Sequence, residues 1–255
     1  EDLIRLDRHR TGKRLSNEEW ASATDPDARI ARMKDGTTHL AYKPEHAVDL
    51  DTGAIVAAEI HAADEGDTTT LTGTLDAARR NLTSVGAPPS SDNPTECVAD
   101  KGYHSRAVLK DLDGGPWKTR IAEPQRQGVS RWHGDADARR AVYNNRTRLR
   151  SEVGKQAMRN RAELVERSFA HILDRGGLRR TWLRGQENVH KRYLIHVAGH
   201  NLGLLMRLLI GAGTPKEAVA HGWCFLVLLR TTDAGADGAI LMVLVANSAG
   251  PALIV

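Results

Sequence analysis

The chain is poor in cysteine. It has two in 255 residues, Cys97 and Cys224, with no C-x-x-C and no Cys/His ligand spacing. That excludes a disulfide framework or a zinc finger and fits a reducing, cytoplasmic setting. Aromatics are scarce as well, with two Phe, four Tyr and five Trp, so the core has to lean on Leu, Val, Ile and Ala. The apolar tail runs Cys224–Leu229 and Ala239–Ala246 are too short for the ~20 residues that span a bilayer, so no membrane partner is expected. The opening E-D-L-I-R-L-D-R-H-R is charged and is no signal peptide, and its start on Glu1 rather than Met reads as a fragment.

What is present is an ordinary globular mixture, 40% hydrophobic and 27% charged, with net charge +4. The basic charge is concentrated. Lys118–Arg192 holds 19 Lys and Arg against 8 Asp and Glu, which leaves the rest of the chain net acidic. Such a stripe suits a phosphate backbone; the alternative is a solvated, Arg-rich helical surface.

Residues 1–39 are charged and turn-rich, with a short helix at Asp2–Arg10, a capping box at Ser16 and Glu19, and no convincing buried strand. His39–Val48 reads as a strand with an edge or irregularity at Pro44. Asp51-Thr52-Gly53 turns it into a second strand, Ala54–Ile60. Thr68–Leu82 has helical spacing, with Leu71, Leu75, Ala78 and Leu82 on one face. Glu96–Ala99 is a short apolar strand, Ser105 caps a helix to Asp111, and Lys118–Ala122 is another strand. Asp137–Arg175 is basic and helical with a break near Gly154, and Asn188–Ile210 is the clearest helix. This order predicts an α/β layered domain.

Asp100 ends an apolar strand just before a glycine turn, where α/β folds commonly place chemistry; it is equally readable as a turn cap. Glu166 lies on a helix beside the apolar stripe Val165, Phe169 and Ile172. Its alternatives are a salt bridge to Arg161 or Arg167, or an exposed boundary position.

V-A-D-K-G-Y-H-S at Val98–Ser105 resembles the second-aspartate motif of DDE transposases of the insertion-sequence type. V-E-R-S-F-A-H-I at Val165–Ile172, followed by G-G-L-R-R-T-W-L-R-G and N-V-H-K-R-Y, is similar to their third-acid region. T-D-P-D-A-R at Thr24–Arg29 opens a stretch similar to the one before their second strand, and H-N-L-G-L-L-M-R-L-L resembles their closing helix. The resemblance spans roughly residues 16–215. It implies a ribonuclease-H-like mixed sheet flanked by helices. It also implies two Asp and one Glu holding two Mg²⁺ or Mn²⁺ ions, in-line attack on a phosphodiester, and DNA as partner. By residue it makes Asp100 the second acid and Glu166 the third. Arg179, Arg180, Arg184, Lys191 and Arg192 would line the DNA path. Trp132 would stack on a base, or else pack on the surface. It further implies paired protomers, hence a homodimer, and a nucleoid-associated location.

The first acid of that family sits on a first strand upstream of the matching region. Asp35-Gly36-Thr37 mimics its text but falls in a connecting stretch, so it is rejected. Asp49 is a substitute, although the mouth of a hairpin suits it better; Asp64 and Asp67 read as helix caps. The expected organisation is a charged connecting segment over 1–39, a partial DDE domain over 40–212 and an apolar, non-family tail over 213–255. The sheet is expected to lack its first, central strand. Three functions compete: a transposase of which this is an inactive fragment, a DNA-binding relic or repurposed protein that does not cut, and a metal-dependent nuclease. Unpaired backbone groups cost roughly 1–3 kcal/mol each, against about 5–15 kcal/mol of net domain stability. The isolated chain should therefore melt early and broadly by circular dichroism; a sharp, high-temperature transition would count against a missing strand.

Overall fold

The computed structural model describes residues 17–18, 20–32, 36–125, 132, 134–214 and 216–217, and the backbone of 223–229 and 241–247. The predicted Asp2–Arg10 helix, the Ser16/Glu19 capping box and Asp35 lie outside the described residues.

The chain divides into two compact units, Glu1–Val197 and Ala198–Val255. The first is mixed α/β. A three-stranded antiparallel sheet runs β1 (Arg29–Arg32), β2 (Thr38–Val48) and β3 (Ile55–Ala62), in that order. β1 lies within residues 1–39, where the sequence offers no convincing buried strand, and none of its residues is fully buried. It is half-buried and paired only through Arg29↔Ala41 to Arg32↔Thr38, so it carries none of the apolar alternation that marks a strand in sequence. The β2–β3 hairpin has the expected place. Gly53, at φ +75, closes its turn, and a bulge falls between Ala47 and Val48.

Helix α1 (Asp67–Ser84) follows, burying Leu71, Leu75 and Ala78 as its spacing predicts. β4 (Thr95–Ala99) leads through a 3-10 turn, Lys101–Tyr103, into α2 (Arg106–Leu112), and Ser105 Oγ caps α2 by accepting from Val108 N at 3.0 Å. β5 (Trp117–Ile121) lies parallel to β4, from Thr95↔Trp117 to Ala99↔Ile121. The basic segment makes α3 (Ala136–Arg150) and α4 (Glu152–Phe169), which runs on into a π-helical turn, Ala170–Arg175. The break comes at Ser151, whose hydroxyl accepts from Gly154 N at 3.0 Å. Any side chain at Gly154 would strike the Arg148 carbonyl.

One core joins α1, β4, α2, β5 and α3 through Leu71, Leu75, Leu109, Ile121 and Val142. A second packs Ile55, Ala58 and Ile60 of β3 against Ile172, Val189 and Tyr193. The last two belong to α5 (Gln186–Ile210), whose final turns fall in the second unit. That unit also holds an antiparallel hairpin of β6 (Trp223–Leu229) and β7 (Leu241–Asn247). α5 leaves Ile195, Leu202, Leu205, Leu208 and Leu209 exposed, and by length and composition it is apolar enough to cross a membrane. The sequence reading weighed only the tail runs and overlooked it.

The outer edges of both sheets of the first unit are closed by side chains. On β3 the carbonyls of Val56, Ala58 and Ile60 meet Asn81 Nδ2 at 2.8 Å, His190 Nε2 at 2.8 Å and Gln186 Nε2 at 2.6 Å. On β5 Asn145, fully buried, donates to Ile121 O and accepts from Ile121 N, both at 2.8 Å, as a neighbouring strand would. Arg148 Nε donates to Thr119 O at 2.7 Å. Asn145→Ala would orphan a buried N–H and a buried C=O together. We expect a loss of about 3 kcal/mol, read as a lowered urea midpoint at unchanged slope.

Candidate active site

Asp100 stands where the sequence places it, at the C-terminal end of β4, with its side chain 46% exposed. Oδ1 accepts from Gly102 N at 2.9 Å, capping the 3-10 turn. Oδ2 lies 3.3 Å from Arg161 Nη2, which reaches across from α4. Gly102 is required here, because a Cβ would collide with the Asp67 carboxylate and stand 3.1 Å from Asp100 Oδ1. Asp67 and Asp100 therefore crowd one spot. Asp67 is the first helical residue of α1, and it pairs with Lys43 at 2.6 Å.

Glu166 is on α4, one turn beyond Arg161, but it faces solvent. Among the described residues its carboxylate makes no ion pair. Arg161 takes Asp100 and Arg167 takes Glu163. What Val165–Phe169 does locally is brace the helix. Ser168 Oγ lies 3.0 Å from His46 Nδ1, Phe169 stacks on the His46 ring at 4.1 Å, and Tyr193 OH is 2.6 Å from His46 Nε2. Strand β2, helix α4 and helix α5 are thus tied through one imidazole. The geometry brings Asp100 together with Arg161 and does not bring Glu166 into contact with it.

The acid that sequence reasoning missed is Glu45. It is 3% exposed, in the middle of β2. Thr70 donates to Oε1, Thr74 donates to Oε2 at 2.7 Å, and Tyr103 donates to Oε1 at 3.2 Å. Lys43 Nζ lies 3.0 Å from Oε1 and His61 Nε2 lies 3.4 Å from Oε2. Burial alone would raise its pKa, but the hydrogen bonds from His61, Thr70, Thr74 and Lys43 outweigh it and hold Glu45 at about 2. Burial and the Glu45 charge push the Tyr103 phenol upward, so it stays a donor. A sequence signal existed: Lys43 and Glu45 share one face of a strand. Its meaning needed the two threonines of α1.

The remaining predicted residues divide. Asp49 accepts from Thr52 N at 3.1 Å and from Thr52 Oγ1 at 2.5 Å, so its oxygens close the hairpin as the alternative reading had it. Arg179 pairs with Asp174, and Lys191 with Glu187 at 2.6 Å. Arg192 lies 3.7 Å over the Trp182 ring, with Nη1 buried. Arg180 and Arg184 are exposed and make no ion pair among the described residues. Trp132 is half-buried, packs against the first core and carries the Arg106 guanidinium over its ring at 4.5 Å. Much of the basic stripe is neutralised internally, through Arg120–Glu96 at 2.5 Å and Arg146–Glu123 at 2.5 Å among others.

The domain is thus mixed α/β, with a half-exposed aspartate at a strand end beside the helix that carries Arg161. The comparison with protein families is specific: a family model for the transposase DDE domain matches residues 6–202, and the chain belongs to that family. No curated protein and no solved structure matches it.

The buried carboxylate sets an acid limit on this unit. Its folded pKa lies below the unfolded value of about 4.3. Its stabilisation is therefore complete above about pH 4.5 and is lost as pH falls towards 2. Glu45→Gln should lose on the order of 3 kcal/mol at pH 7 and flatten the acid limb of a urea-midpoint profile. Parallel limbs for the two proteins would remove Glu45 as the cause.

Proposed function

We propose that this chain is part of the catalytic domain of a DNA transposase acting at insertion-sequence ends, in which Asp100 and Glu166 are two of the acids. The observation that carries the reading is Asp100 itself, at the open end of β4 and facing the helix that bears Glu166. The split between the β1–β2–β3 sheet and the β4–β5 sheet supports a ribonuclease-H-like arrangement that lacks one strand, since the resemblance puts a central strand between them.

The donor set does not fit a pair of Mg²⁺ or Mn²⁺ ions. Hard cations need several converging oxygens. Among the described residues no three Asp, Glu, His or Cys side chains converge, and Asp100 already spends one oxygen on Arg161 and the other on Gly102. The function that remains within reach of these residues is DNA binding without cutting. Its partner would be duplex DNA on the nucleoid, in the cytoplasm, and two protomers would act together as a homodimer.

Exposed and without an ion pair among the described residues, Arg180 and Arg184 are the cations best placed to meet phosphate. Fluorescence anisotropy with duplex DNA should show affinity falling steeply from 50 to 200 mM salt, on the order of 10³-fold if six phosphates are met. The Arg180→Ala/Arg184→Ala pair should reduce the salt slope by about two. No strand cleavage is expected with Mg²⁺ or Mn²⁺. Cleavage that vanishes in Asp100→Ala would overturn the non-cutting reading.

A further inference from the structure

The apolar side chains between the π-helical turn and α5 divide by side. Leu178 and Leu183 pack against the second core, whereas Trp182 stands 76% exposed. One face of its indole is nevertheless covered. The guanidinium of Arg192, on α5, lies 3.7 Å from the ring centre. Its Nη1 is buried and has no hydrogen-bond partner among the described residues. A guanidinium nitrogen that leaves water without gaining an acceptor costs free energy, and the aromatic face offsets that cost. Arg192 is therefore a backing for the ring. Since the indole is so exposed with one face covered, its opposite face is open to solvent.

The loop that presents the ring is fixed at both ends. Before it, Arg179 N donates to Leu173 O at 3.2 Å, and the Arg179 side chain pairs with Asp174. Within it, Thr181 Oγ1 accepts from Leu183 N at 3.1 Å. After it, Gly185 N donates to Asp25 Oδ1 at 3.1 Å and Gln186 N donates to Asp27 Oδ2 at 3.0 Å. Tyr42 OH donates to Asp25 at 2.7 Å and so ties that carboxylate to β2. The T-D-P-D segment, residues 24–27, is thus a clamp on the start of α5. Arg180 and Arg184 flank Trp182 in the chain, both exposed and without an ion pair among the described residues.

We infer that the loop 179–185 is a stacking site for one unpaired nucleobase of DNA. The base lies on the open face of Trp182, and Arg180 and Arg184 meet the phosphates that flank it. Bases inside a duplex are already stacked on their neighbours, so the site takes its base from a single strand or an overhang. Every base has a π-face, so the site tolerates any sequence. A ring held in place beforehand loses little freedom on binding. Trp182 takes the stacking role in place of Trp132, which is packed against the first core. The inference rests on DNA being the partner and deepens that reading by naming the form of DNA.

The test uses the full chain and three labelled DNAs: a blunt duplex, the same duplex with a short single-stranded overhang, and that overhang with abasic sites. The abasic form keeps the phosphates and removes the bases, so it separates stacking from charge. Anisotropy should show the overhang bound on the order of ten-fold more tightly than the blunt duplex, and the abasic form should lose that gain. The overhang should quench tryptophan fluorescence in the unaltered chain and much less in Trp182→Leu. Trp182→Leu should lose the preference for the overhang, and Trp182→Phe should keep most of it. Arg192→Lys retains the charge without the planar face, and should weaken the preference several-fold. Equal affinity for the overhang and its abasic form overturns the inference while salt-dependent duplex binding stands. A preference that survives Trp182→Leu overturns it too. So does loss of a dimer in Trp182→Leu by sedimentation, since the ring would then belong to a protein interface. Failure to bind any of the three DNAs removes this inference and the DNA reading together.

Discussion

A backbone N–H or C=O taken out of water must find a partner, and the whole of the first unit is arranged around that constraint. Among the described residues its five strands lie in two sheets, which leaves several edges without a strand neighbour. On β3 and β5 the deficit is met by amides, an imidazole and a guanidinium from the helices, so the helices are positioned by polar bonds as much as by apolar packing. Asn145 does for Ile121 what a sixth strand would do. Where β2 and β4 line one cavity, apolar Leu71, Leu75, Ala78, Val165 and Phe169 stand beside polar Thr74, Glu96 and Arg161.

Charge follows the same logic. Glu45 is affordable in the interior because five donors surround it, two of them from the first turns of α1. This cluster pins α1 to β2 and, through Tyr103, fixes the turn that carries Asp100. Asp100 is thereby held from behind by its own turn and from the front by Arg161. The aspartate at the strand end and the buried glutamate belong to one connected structure, although only the first resembles a functional residue in sequence.

Membership of the DDE-domain family was legible because short motifs are contiguous: V-A-D-K-G-Y and V-E-R-S-F can be read without knowing what surrounds them. The strands of the hairpin, the spacing of α1, the Ser105 cap and the break near Gly154 were legible for the same local reason. β1 was not, because an edge strand with half-buried residues leaves no periodic trace. The apolar exposure of α5 was not either, since helical spacing shows a stripe without showing what covers it. The basic stripe was visible as composition, but its internal neutralisation depended on partners from β4, from the segment after β5 and from neighbouring turns.

The sequence by itself thus determined the order of elements, the position of Asp100 at a strand end, and the family, all of which rest on neighbours a few residues apart. The tertiary structure alone decided that Glu45 is a buried, ionised acid, that Arg161 meets Asp100 in place of Glu166, and that His46 ties Ser168 to Tyr193. It also decided that β2 and β4 line one cavity together with α1 and α4. Each of these depends on which backbone edge or helix face a distant segment happens to meet, and periodicity along the chain carries no information about that.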